Sequence, residues 1–170
     1  QSDRVLPPLD GFSSVSQPIY RANTQEDVMT DEGQYRVLAD PHDPERFPED
    51  FEARCGALRE RDYVLSLAFS GPFWQMREWC GMEGLCLLMA TEPEFVDEMA
   101  AFWTDFVLET LAPILELAPP DHIVFNEDMA YKMHSMISPK MVRRFLMPAW
   151  TRWIEAIKAA GSETIVDMDS

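Results

Sequence analysis

Positive charge is scarce in this chain. Fourteen Lys and Arg stand against thirty Asp and Glu, a formal net charge of −16, and that balance repels phosphate backbones and anionic lipid surfaces, which sets nucleic acid aside as a partner. Cysteine is scarce too: Cys55, Cys80 and Cys86 cannot all pair within one chain, and none sits in a CxxC or CxxH arrangement. They read as reduced, mostly buried small hydrophobes. No pair of His, or of His with Cys, has zinc spacing, which argues against a preformed zinc site. No apolar run approaches bilayer length, and the opening QSDRVLPPLDG lacks the basic-then-apolar pattern of a signal peptide, so the reading is cytoplasmic with no membrane partner. Also missing are a glycine-rich phosphate loop, a nucleophile elbow and an internal repeat. Starting at Gln1 rather than Met, the chain reads as a fragment or as one whose leading residues are absent.

What is present suits one domain. A length of 170 residues with 46% hydrophobic content is enough for a sizeable core. Residues 1–47, rich in Pro, Asp, Ser and Gln, read as an irregular arm, with YRVL (35–38) as a short strand in it. From Pro48 to about Arg61 the pattern turns helical, with Glu49 and Asp50 at the positive end and Phe51, Cys55 and Leu58 on one face. YVLSLAF (63–69) is an apolar run closed by Ser70, Gly71 and Pro72, as expected for a parallel strand buried on both faces. A helix over 73–90 follows, weakened in its middle by Gly81 and Gly84, and Thr91 with Glu94 forms a capping box for another reaching about Leu117.

After Pro119 and Pro120, the apolar run Ile123, Val124 and Phe125 predicts a second strand that ends in Asn126, Glu127 and Asp128. Ser138 as N-cap and Pro139 as first helical residue open a helix that bends at Pro148 and ends at Gly161. A third strand covers 164–168 and runs into Asp169. Strands separated by long helical crossovers predict an α/β fold of parallel strands, adjacent in chain order, with the helices on one side: part of a (β/α)8 TIM-type barrel over 48–170. Three strands do not close a barrel, so exposed edges predict a homo-oligomer or a cover by other segments.

The three strand ends bring polar groups to one rim: Ser70 and Gly71; Asn126, Glu127 and Asp128; Asp167 and Asp169. Convergent carboxylates in a partly dry pocket acquire unequal pKa values, so one can act as acid while another stays charged, or together they can hold a cation. Glu127, Asp128 and Asp169 are the candidate catalytic residues, with Asp169 also a candidate metal ligand. The plainer alternative is that such carboxylates cap helices or face water. Trp74 and Trp79 can stack on a flat ligand and Arg77 can clamp a carboxylate. Met129, within a run of methionines that equally suits core filling, and Tyr131 and His134 complete the candidate substrate-binding set. Trp103, Trp150 and Trp153 sit on helix stripes and read as packing.

Three segments together resemble the uroporphyrinogen decarboxylase superfamily: FSGPFWQMREWCGME (69–83), IVFNEDMAYKMHSMISPKMVRRFLMPAWTRWIEAIKAAG (123–161) and the closing TIVDMDS (164–170). The Ser138-Pro139 helix start followed by Phe145, Leu146, Met147 and Pro148 is the most specific part, and DPERFPEDFE (43–52) is similar to the run-up in uncharacterised branches. The resemblance covers roughly residues 43–170 and implies a single-domain barrel of eight βα units. It implies one of two activities. One is corrinoid-linked methyl transfer on a small methylated substrate, with zinc or another divalent metal and with the corrinoid supplied by a partner protein. The other is metal-free decarboxylation of acetate side chains on a porphyrinogen, a tetrapyrrole. The Arg-Gln-Ala-Gly-Arg-Tyr and Phe-Ser-Asp segments of decarboxylases are absent, which places methyl transfer first, and Glu127 with Asp128 stand where decarboxylases carry an Asp-Ser pair. In the methyltransferase branch the third strand ends in His-x-Cys-Gly, whereas here Asp169 and Ser170 begin that motif. A ligand-binding relative without catalysis is the expectation from another class.

Overall fold

The structure, a computed structural model, describes residues 46–168. The arm predicted over 1–47, including its strand at 35–38, lies almost wholly outside the described residues, as does Asp169.

Three parallel strands are interleaved with helices in an α/β fold. Strands β1 (Ser66–Ser70), β2 (His122–Asn126) and β5 (Glu163–Asp167) pair in the order β1-β2-β5, both pairs parallel. Helix α1 (Phe51–Arg59) precedes the sheet, and α2 (Pro72–Cys80), α3 (Met82–Thr91) and α4 (Pro93–Leu117) connect β1 to β2. Between β2 and β5 come a small antiparallel hairpin, β3 (Ala130–Tyr131) with β4 (His134–Ser135), then the single turn α5 (Pro139–Met141), a π-helical segment (Val142–Leu146) and α6 (Met147–Ala159). The parallel order expected from the alternation of apolar runs and long crossovers is therefore present. The strands do not close into a barrel among the described residues.

Side chains on a strand alternate between faces, and here one face carries the core. Ile123 and Phe125 of β2 are fully buried, and Leu67, Phe69 and Val166 pack with them against the helices. Trp153 of α6 stands edge-on to both Phe69 and Phe125, at 5.2 and 5.5 Å between ring centroids, and its indole N–H donates to the Thr104 carbonyl at 3.1 Å. Burying one such aromatic is worth roughly 1.5–3 kcal/mol, and edge-to-face geometry adds to that. The other face differs from expectation. Ser66 and Ala68 are exposed, so β1 is buried on one face only, and Tyr63 and Val64 lie outside the strand, with Val64 70% exposed. Pairing with β2 begins at Ser66, while upstream the Leu65 N–H is taken by the Asp121 carboxylate.

Two helix starts depart from the sequence reading. The helix predicted over 73–90 is two helices, divided at Gly81, whose φ of 70° is open to glycine and costly for other residues. Thr91 does not cap α4: it ends α3, and its hydroxyl donates back to the Leu87 carbonyl at 3.0 Å. Pro93, which has no N–H to give to a continuing helix, sets the start of α4 instead. Ser138, by contrast, accepts from Met141 N at 3.2 Å as an N-cap should. At Pro148, where a bend is expected, a π-helical segment has just ended and α6 begins, and Pro148 itself sits in the first turn of α6, where a missing N–H costs little. No helix among the described residues is long and apolar enough to cross a membrane.

Candidate active site at the strand ends

The pairing register sets Ser70, Asn126 and Asp167 side by side at the carboxyl ends of the three strands. The ladder runs one step further, with Gly71 N donating to the Asn126 carbonyl at 2.7 Å and Glu127 N to the Asp167 carbonyl at 2.8 Å. Alternation then separates the two adjacent carboxylates. Glu127 turns to the helix side and is 0% exposed, whereas Asp128 stays partly exposed in a left-handed conformation, φ 43°, which Asp tolerates better than most residues.

Glu127 is held from two helices. One carboxylate oxygen accepts from Phe73 N at 2.8 Å and from Trp74 N at 3.4 Å, and the other accepts from the Trp150 indole N–H of α6. Helix α2 begins after Gly71, which has no side chain to cap it, so Glu127 fills that role from a neighbouring strand. Gly71 makes this approach possible: a Cβ there would lie 2.3 Å from the Glu127 carboxyl carbon. Burial pushes the Glu127 pKa up to about 7, against the pull of the Trp150, Phe73 and Trp74 donors and in the same direction as the Asp128 charge.

Of the predicted substrate-binding residues, the structure brings Trp74 and Arg77 together with Asp128. The Arg77 guanidinium lies 4.6 Å from the Trp74 ring centroid, and its Nη1 donates to the Asp128 carbonyl at 3.3 Å. Trp79 is elsewhere: it is buried in the helix layer, edge-on to Trp103 at 5.8 Å, because its face of α2 points at α4. Met129 is a buried core residue beneath the loop. Tyr131 and His134 pair across the β3–β4 hairpin on the surface, Tyr131 at 67% exposure. Asp169 lies outside the described residues. Trp150, read from its helix stripe as packing, proves to be a hydrogen-bond partner of Glu127. Its spacing carried no such signal.

Among the described residues, the donor set at the strand ends does not fit a zinc–thiolate centre. Cys55 and Cys80 are buried, Cys86 sits on α3, and burial raises the Cys80 thiol to about 11, far from the thiolate that binds metal. Among the described residues no three His, Cys, Asp or Glu side chains converge. A cleft of about 480 Å³ lined by Arg59, Arg61, Asp62, Tyr63, Val64 and Asp121 sits at the opposite, amino ends of the strands. Its charged groups hold the chain together: Arg61 donates to the carbonyls of Leu58 and Pro119 and to Asp121, and the Leu65 N–H and Arg61 lower the Asp121 pKa. In comparisons with known proteins, no family model, no curated protein and no solved structure matches the chain.

Proposed function

We propose that the chain is the central part of a uroporphyrinogen decarboxylase-type (β/α) barrel enzyme that binds a flat, carboxylate-bearing substrate such as a porphyrinogen and decarboxylates it. The observation that carries this reading is Arg77, held between the Trp74 ring and the Asp128 carbonyl at the carboxyl ends of a parallel sheet, where α/β folds place their chemistry. A guanidinium has five N–H donors in a planar fork, and Nη1 is the one seen to donate among the described residues, to the Asp128 carbonyl, which leaves donors for a substrate carboxylate. In the reaction the bond between the carboxylate carbon and its neighbour breaks, CO2 leaves, and the remaining carbon takes a proton from an acid. Asp128, partly exposed beside the clamp, is assigned to take that proton up from solvent and pass it on, while Glu127 is sealed from the rim.

Methyl transfer, placed first by the absent decarboxylase segments, becomes the second reading because among the described residues the strand ends carry the Trp74–Arg77 pair rather than a converging set of metal-ligating side chains. The test is titration of the purified protein with uroporphyrin, followed by absorbance, and CO2 release from the reduced porphyrinogen. Arg77→Ala is expected to weaken uroporphyrin binding about tenfold or more, the scale of one lost charged hydrogen bond. Asp128→Asn is expected to bind and release no CO2. Binding without CO2 release by the wild type identifies the non-catalytic relative, and a corrinoid spectrum in the purified protein identifies methyl transfer.

A further inference from the structure

We infer that Glu127 is a positioning residue: shared between the first turn of α2 and the Trp150 indole of α6, its carboxylate fixes where the Trp74–Arg77 clamp stands. The inference rests on the proposed reading of the rim. Being fully buried, Glu127 does not touch substrate, but it touches the clamp directly. Trp74 N is one of its donors, Arg77 follows one helical turn later, and Asp128, whose carbonyl holds Arg77, is the next residue in the chain. The bare Cα of Gly71 lets the carboxyl carbon come in against the backbone.

All three groups that meet Glu127 are N–H donors, so the arrangement is complementary to the anion. A protonated carboxyl adds an O–H with no acceptor among them, and one contact has to open. The Phe73 and Trp74 N–H groups are fixed by the helix, whereas Trp150 is a partly exposed side chain and can turn away. Proton uptake therefore loosens the link between α6 and α2, and with it the clamp. The charged groups around this point are Asp128 on the same loop, Arg77 on α2 and Asp167 on β5, and the π-helical segment that packs on α2 carries Arg143 and Arg144 on exposed positions. Arg144 is drawn off to Asp97 and Glu94.

The test needs no ligand. Emission from Trp74, taken as the difference between wild type and Trp74→Phe, is followed across neutral pH. It is expected to titrate in the wild type and to stay constant both in Glu127→Gln, which takes up no proton, and in Trp150→Phe, which has no indole N–H to release. Uroporphyrin affinity is expected to follow the same curve, falling about tenfold on its acid side. A flat Trp74 signal in the wild type, or a titration that persists in Glu127→Gln or in Trp150→Phe, overturns the inference, since a merely structural tie would give no pH dependence that these two substitutions remove. If Glu127→Gln does not fold, Trp150→Phe decides alone. Failure of the wild type to bind uroporphyrin at every pH overturns the proposed function instead, and the Trp74 titration still judges the positioning role.

Discussion

Three N–H donors converge on Glu127, yet its pKa rises, because withdrawing a carboxylate from water costs more than these hydrogen bonds offset. The ordinary value is 4.5 and the folded value about 7, so the folded chain holds the proton more tightly than the unfolded one. Folding is then favoured most by this group below its ordinary value, and that contribution is lost as pH rises through the interval, in all about 3 kcal/mol. Urea unfolding between pH 4 and 8 should show the stability of the wild type, relative to Glu127→Gln, falling as pH rises. A difference that does not vary with pH would contradict the burial. At this scale the sequence was legible as far as chemistry and no further. That Glu127 and Asp128 end a strand could be read from the apolar run before them, but which one turns inward depends on the pairing partner. That Trp150 meets Glu127 depends on how α6 crosses the sheet, which no one-dimensional spacing records.

Elements were legible where one force dominates. Strands β1, β2 and β5 follow from apolar runs closed by polar residues, and their displacement by up to three residues from the predicted bounds arises at β1, where Asp121 ties up Leu65 before the ladder begins. The β3–β4 hairpin, two residues a side, is too short to leave a periodic pattern. Capping signals divide two ways. Ser138 as a simple N-cap and Thr91 with Glu94 as a capping box are both plausible, but only Ser138 has a free helix end in front of it, because Pro93 had already set the start of α4. Ser138→Ala should therefore cost about 1 kcal/mol in urea unfolding. Thr91→Ala, which gives up only a hydrogen bond within its own helix on an exposed face, should stay within about 0.5 kcal/mol. Equal losses at the two sites would mean that Thr91 caps after all.

At the scale of the whole molecule, the telling feature is the sheet face that the helices leave uncovered among the described residues. The register arranges it in rows: Ser66, His122 and Glu163 at one end, Ala68, Val124 and Ile165 across the middle, and Ser70, Asn126 and Asp167 at the rim. Parallel sheets are ordinarily covered on both faces, and among the described residues β1 and β5 each pair on one side only, leaving unpaired backbone at both edges. The middle row is apolar, with Ile165 at 47% exposure, and such a surface in water favours association. Against it works the net charge of −16, which repels copies of the chain from one another and is screened by salt. The balance predicts association that strengthens with ionic strength, measured by sedimentation velocity between low and high salt. Ile165→Lys should abolish that association while leaving the unfolding free energy within about 0.5 kcal/mol, because the side chain lies half in water already. A monomer at every salt concentration would mean that the apolar row is too narrow to drive contact, and association that survives Ile165→Lys would move the contact from the face to the strand edges.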